Sequence, residues 1–222
     1  MSSSLKDRLI FHFEFVDSLL LWMNKRSVEV SIDYLINLPA SQFMQGIIIR
    51  NEKGEIPPFQ EILSNFNSND TVSEDLYVLN KAYNKQEEIK SLLNELRKND
   101  FTNGIFNKVM KYFPIDFIPP RNYDVFFTIV GWHWGDAHAF RYQVKDNKYT
   151  ISPEGIPAMM FNLTLTCDFH GDNTLERITH MKKTMAHELF HAIFFDSRPN
   201  RWRNTTAGPD DSTDGFGFWL ND

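Results

Sequence analysis

The segment Thr184-Met-Ala-His-Glu-Leu-Phe-His-Ala-Ile-Phe-Phe195 organises the sequence, because it carries an H-E-x-x-H pattern inside a run with helical periodicity. Its two histidines, His187 and His191, are four residues apart and share one helical face, so both imidazoles can reach one metal ion. Glu188 lies beside them, where its carboxylate can take a proton from a water on that ion. The pattern therefore predicts a hydrolytic site with Zn²⁺ as cofactor.

The helix that carries this motif has recognisable ends. Asn173 is a good N-cap, and Glu176 follows three residues later in the reciprocal capping position. The periodic pattern runs to Phe195, and Pro199 stops it. On a helical wheel the apolar residues of this run fall on one side and the motif residues towards the other, which predicts a buried back and a front for chemistry.

The composition is that of an ordinary globular protein. The 222 residues are 42% hydrophobic and 23% charged, and their formal net charge is −6. An acidic chain without a long basic stripe argues against nucleic acid as a partner. The apolar segment 5–23 carries several charged residues, which predicts neither a signal peptide nor a membrane span. The sequence does not indicate an oligomeric state.

Cysteine content bears on the compartment. Cys167 is the single cysteine, so an intramolecular disulfide is excluded. This fits the cytoplasm, and the protein would be exported only if a signal peptide had been removed.

The chain changes character near Pro119. Before it, helices are predicted over 9–23, 28–38, 40–50 and 72–96, the first from the spacing of its apolar residues. After it come strand-like runs over 123–130, 140–144, 149–151 and 158–166, rich in β-branched and aromatic residues. The sequence predicts an α+β protein with a helical N-terminal lobe, 1–118, and a catalytic lobe, 119–222, or one continuous domain.

The run Met185-Ala-His-Glu-Leu-Phe-His-Ala-Ile-Phe194, preceded by apolar strands, resembles the active-site helix of the zincin metallopeptidases. Within that clan it most resembles poorly characterised bacterial zinc-dependent peptidases. The resemblance implies hydrolysis of peptide bonds in a peptide or protein substrate. It also implies a small mixed sheet whose edge strand binds the extended peptide above the motif helix. Ala158, Met160 and Asn162, in the run 158–166, are the candidate substrate-binding residues of that strand.

The sequence departs from the zincin pattern at the third metal ligand. Gluzincins supply a glutamate from a later helix, whereas after His191 this sequence contains no glutamate, histidine or cysteine. Asp214 is the preferred candidate, because a glycine-containing turn around it can return the chain to the helix. Asp196 is too close to the end of the motif helix to reach back. Another possibility is that the ligand lies beyond Asp222.

Other metal-binding candidates are weaker. His180 lies on the face of His187 but two turns away, about 10 Å along the axis, so it is predicted to be a surface or supporting residue. Cys167 and His170 invite comparison with peptide deformylases, although their surroundings do not match. The loop 131–138 can line a substrate cleft, position a carboxylate or simply pack on the core. These observations leave two alternatives: a metal-dependent amidase or deformylase, and an inactive zincin-like module that binds a protein.

Overall fold

A mixed sheet of five strands lies at the centre of the computed structural model, which describes residues 9–25, 30–51, 56–66, 77–98, 104–133 and 135–197. The strands are β1 (Leu9–His12), β2 (Tyr123–Thr128), β3 (Ala137–Lys145), β4 (Lys148–Ile151) and β5 (Ile156–Asn162). Their spatial order is β1-β2-β5-β3-β4. Strand β2 runs parallel to both β1 and β5, whereas β3 runs antiparallel to both β5 and β4.

Helices surround the sheet, so the predicted α+β fold is confirmed. The predicted strands over 123–130, 140–144 and 149–151 are also confirmed, within a few residues at their ends. The helices are α1 (Glu14–Lys25), α2 (Ile32–Asn37), α3 (Pro39–Asn51), α4 (Phe59–Ser64), α5 (Leu79–Asn84), α6 (Gln86–Lys98), α7 (Ile105–Met110), α8 (Leu163–Phe169) and α9 (Thr174–Ser197). In the described part of 72–96, the predicted single helix is instead two helices that meet at Lys85.

The N-terminal residues differ from the prediction of a helix beginning at Leu9. Residues Leu9–His12 form β1, which pairs with β2, and α1 begins only at Glu14. The aromatic ring of Phe11 stacks on Phe127 of β2 at a centroid distance of 5.8 Å. Contacts with a strand that is distant in sequence therefore override the local helical spacing of the apolar residues.

Strand β5 is the middle strand of the sheet, so the prediction that it is a peptide-binding edge strand is wrong. Its backbone pairs with β2 on one side and β3 on the other, and Ala158, Met160 and Asn162 are fully buried. A continuous apolar run suits a strand that is covered on both faces better than an exposed edge. The run also ends early, because Asn162 caps α8 by accepting the N–H groups of Thr164 and Leu165.

Packing joins the two predicted lobes. Phe43 of α3 lies in ring contact with Phe126, Phe140 and Tyr142 of the sheet, at centroid distances of 4.9 to 5.0 Å. Strand β1 precedes residue 118 and its partner β2 follows it. The division into 1–118 and 119–222 stays a prediction, but both the sheet and the buried core extend across that boundary.

Among the residues that the structure describes, none of the helices combines the length and the apolar character needed to cross a bilayer.

Candidate metal centre

Helix α9 begins where its sequence predicts. The side-chain oxygen of Asn173 accepts the backbone N–H of Glu176 at 3.1 Å, and the Glu176 carboxylate accepts the N–H of Asp172 at 2.9 Å. These bonds satisfy amides that would otherwise have no partner at the helix start. The 24 residues of α9 extend for about 36 Å, so the helix is a long support that is fixed at its beginning.

One side of α9 is anchored in the core. It packs against β3, β5, α6 and α7. The guanidinium of Arg177 donates to the carbonyl oxygen of Cys167, which ties α9 to the end of α8. The buried apolar residues on this side are Ile178, Met181, Met185, Leu189, Ala192 and Ile193. This firm attachment limits the movement of any side chain carried on the rest of the helix.

A polar stripe, which we define as His180, Thr184, His187 and His191, runs along α9. Its successive spacings of four, three and four residues place the four side chains on one helical face. Hydrogen bonds connect them in two pairs: Thr184 with His180 at 2.9 Å, and His191 with His187 at 2.9 Å. The stripe thus has an N-terminal half and a C-terminal half, the second of which is the H-E-x-x-H motif.

The motif histidines point their Nε2 atoms at each other, 2.9 Å apart. Zinc binds imidazole nitrogen at about 2.0–2.1 Å, so two nitrogens of a tetrahedral zinc site lie about 3.3 Å from each other. A small outward movement of the two rings would therefore place both nitrogens at bonding distance from one ion. The geometry and the chemistry of this donor pair fit zinc.

Burial keeps both motif histidines neutral, the form in which imidazole binds metal. His191 is 7% exposed. Burial lowers its pKa to about 4, and the charges of His187 and His138 act in the same direction. Burial also lowers the pKa of His187. Neither ring has to lose a proton at neutral pH before it can bind an ion.

The depressed pKa of His191 predicts that the metal-free protein loses stability in mild acid. Unfolded His191 takes up a proton near pH 6.5, whereas folded His191 takes it up only near pH 4. Above pH 6.5 neither state binds this proton, and the free energy of unfolding is unaffected. As the pH falls to about 4, the free energy of unfolding decreases, because only the unfolded chain binds the proton there. The difference corresponds to roughly 3 kcal/mol in the free energy of unfolding.

Urea unfolding across this pH range measures the effect, with His191→Leu as the comparison. The variant should show a smaller pH dependence between pH 6.5 and 4 than the unsubstituted protein. Equal slopes for the two proteins would contradict the assignment to His191.

The predicted motif site also includes Glu188 and a third ligand. Glu188 is half-buried on α9, between the two motif histidines in sequence. Asp214, the preferred third ligand, lies outside the described residues. Asp196 is nearly buried, and its Oδ2 lies 3.0 Å from Nε of Arg121, in an ion pair without hydrogen-bond geometry. The carboxylate of Asp196 is thus ion-paired with Arg121, and its exclusion as a ligand stays a prediction.

A second group of possible ligands forms around the N-terminal half of the polar stripe. Among the described residues, Asp136, His170 and His180 are the only three His, Cys, Asp or Glu side chains whose ligand atoms all lie within 4.8 Å of one another. His170 Nε2 is 3.4 Å and His180 Nε2 is 3.7 Å from Oδ2 of Asp136. The three residues are far apart in the sequence, so local patterns do not predict the group.

Cys167 is not part of that group. The residue is 3% exposed, and burial is the main cause that raises the pKa of its thiol to about 11. Without a metal, the thiol therefore stays protonated at neutral pH. The burial of Cys167 and its position outside the group disfavour the comparison with deformylases.

The sequence matches a known protein family over most of its length. The family model described as "Putative zinc dependent peptidase (DUF5700)" matches residues 32–216, which is most of the chain. The chain belongs to the DUF5700 family. The matched range includes all of α9, and therefore both halves of the polar stripe. No curated protein and no solved structure matches this DUF5700 chain.

The family description supports zinc-dependent peptidase chemistry as a class for this DUF5700 member. Membership of the zincin clan and the roles of individual residues stay predictions. One sequence signal could have led to the second group: His180 shares a helical face with His187. Nothing in the local sequence could have brought Asp136 and His170 to it.

Proposed function

We propose that this protein is a zinc-dependent peptidase in which His187 and His191 hold the zinc ion and Glu188 is the general base. The observation that carries the proposal is the convergence of the two Nε2 atoms at 2.9 Å on a capped, core-anchored helix. Membership of a family described as zinc-dependent peptidases supports the choice of metal and reaction class.

Each protein group has a defined part in the reaction. A bound zinc ion polarises a carbonyl group and makes water acidic near neutral pH. His187 and His191 hold the ion through neutral imidazole nitrogens. The Glu188 carboxylate takes the proton of the attacking water and then passes it to the amine nitrogen of the departing peptide half. The bond broken is the carbon–nitrogen bond of the amide, and water supplies the new hydroxyl and proton.

The third protein ligand belongs to this proposal as well. Asp214 is our candidate, because a carboxylate can be the third ligand of a catalytic zinc site with two histidines. The substrate is proposed to be a peptide or protein. Since β5 is internal, any pairing between substrate and sheet would have to use another strand.

Removal and return of metal tests the proposal. After treatment with a chelator and dialysis, the protein should no longer cleave a mixed peptide library, and added zinc should restore cleavage. Mass spectrometry of the library measures the cleavage. Magnesium should not, because it prefers oxygen ligands in octahedral geometry.

The other outcomes distinguish the alternatives. Zinc-loaded protein that leaves the whole library intact would contradict peptidase activity and favour a module that binds a protein. Preferential hydrolysis of small formylated or capped amides would favour the amidase alternative instead.

A further inference from the structure

Three elements that are distant in sequence meet at the N-terminal half of the polar stripe. Asp136 directly precedes β3, His170 is the C-cap residue of α8, and His180 is the seventh residue of α9. Their ligand atoms all lie within 4.8 Å of one another. Two imidazoles and a carboxylate are a donor set that divalent transition metals use in proteins.

We propose that Asp136, His170 and His180 bind a second divalent transition-metal ion, separate from the ion of the motif histidines. The two nitrogen-to-oxygen distances, 3.4 Å from His170 and 3.7 Å from His180 to Asp136 Oδ2, carry this inference. Ligand atoms on a tetrahedral ion with bonds of about 2.0–2.2 Å lie about 3.4 Å from each other. Both imidazole nitrogens therefore already lie nearly at ligand spacing from the carboxylate oxygen, and all three ligand atoms lie within 4.8 Å of one another.

The carboxylate of the group is held by its surroundings. Asp136 is 8% exposed, and its Oδ2 accepts the hydroxyl of Thr166 at 3.1 Å. Its carbonyl oxygen also accepts the backbone N–H of Asn162 at 2.7 Å, at the end of β5. Hydrogen-bonding partners behind a ligand orient it for metal. Since the side chains of His170 and His180 are partly exposed, an ion can reach the group from solvent.

The imidazoles favour a metal over two protons. Their rings are stacked, with centroids 3.1 Å apart and planes inclined by 14°. Two imidazolium rings this close would repel each other strongly. Burial lowers the pKa of His180, as does the charge of His170, while Asp136 opposes them and Lys183 acts with them. One divalent ion bound at the ring nitrogens keeps both rings neutral, so this repulsion does not arise.

The hydroxyl of Thr184 competes with a metal ion for one of these ligand atoms. Its hydroxyl lies 2.9 Å from Nε2 of His180, the same atom that lies near Asp136. Binding through Nε2 requires the hydroxyl to turn away, which a threonine in a helix can do because it has two accessible rotamers.

The second ion would not take part in a two-metal reaction centre. His180 and His187 are separated by two helical turns, about 10 Å along α9, whereas paired catalytic metals lie about 3.5–4 Å apart. An ion at Asp136, His170 and His180 would instead join β3, α8 and α9, the elements around the motif. The binding of this second ion does not depend on peptidase activity, so it can be tested separately from the proposed function.

Metal stoichiometry tests the proposal without an activity assay. The background for this test is the double variant His187→Ala and His191→Ala, which lacks the motif ligands. After dialysis, this protein should still bind one equivalent of zinc, and excess zinc should raise its melting temperature. Adding Asp136→Asn or His170→Ala to that background should abolish both the bound equivalent of zinc and the rise in melting temperature. His12→Ala is the matched control, because His12 also contacts a carboxylate, Asp124 at 2.7 Å, and should leave both unchanged.

Two further results sharpen the test. Thr184→Val, which removes the competing hydroxyl, should leave zinc affinity in the background protein equal or increased. Cobalt added to the background protein should broaden the ring NMR signals of His170 and His180, a readout that needs no further substitution. Absence of bound zinc in the background protein, or an equivalent that persists after Asp136→Asn, or unchanged His170 and His180 signals, would overturn the proposal.

Discussion

Replacing Glu188 with glutamine is expected to lower the rate of peptide cleavage by roughly 10²–10⁴-fold, the usual contribution of a general acid–base group. The amide has the size of the carboxylate but cannot take a proton from water at neutral pH. Zinc content should not change, because His187 and His191 remain. The measurement is kcat on a cleaved peptide together with the zinc-to-protein ratio.

Glu87→Gln is a suitable control for this experiment. It makes the same chemical change at a side chain that is 86% exposed and that pairs with Lys90 on the surface. Exposed ion pairs contribute little to stability, so both activity and zinc content should stay the same. Full activity of the Glu188 variant with zinc still bound would exclude Glu188 as the base.

Substituting either motif histidine by alanine should abolish retention of the motif-bound zinc and, with it, peptide cleavage. Loss of a hydrogen-bonding partner behind a ligand costs about 10–100-fold in metal affinity, and loss of the ligand itself should cost more. Zinc affinity measured by competition with a chelator, before and after substitution, gives the ratio. Any second bound ion is separated from this one by the stoichiometry experiment described above.

The two alanine variants should differ in stability although they lose zinc alike. His191 is buried and its ring lies 6.2 Å from that of Phe190, so truncation leaves a cavity. His187 is more exposed, so its substitution by alanine should lower the free energy of unfolding by less. His133→Ala, at an exposed loop position, should retain both zinc and stability. A variant of His187 or His191 that keeps the motif-bound zinc at unchanged affinity would refute the assignment of that ligand.

Features that depend on neighbouring residues could be predicted from the sequence. The start of α9 follows from Asn173 and Glu176, whose hydrogen bonds close within a single turn. The pairing of His187 with His191 follows from the helical repeat. The strands after residue 122 were recognisable because β-branched and aromatic residues are concentrated there.

Features that depend on distant partners could not be predicted in the same way. Leu9–His12 has apolar spacing that suits a helix, and only its pairing with Tyr123–Phe126 makes it a strand. The internal position of β5 depends on which strands flank it, and its composition alone cannot decide that. The group at Asp136, His170 and His180 is assembled from three elements, so no local motif marks it.

The position of β1 has a consequence for how the chain folds. Leu9 pairs with Tyr123, and β2 in turn pairs with β5, so the parallel part of the sheet joins the beginning of the chain to its second half. Contacts that close such long loops slow folding, since the entropy is lost before the pairing is gained. During synthesis, β1 has to wait until β2 has been made. Until then, the apolar side chains of β1 lack the strand with which they pair.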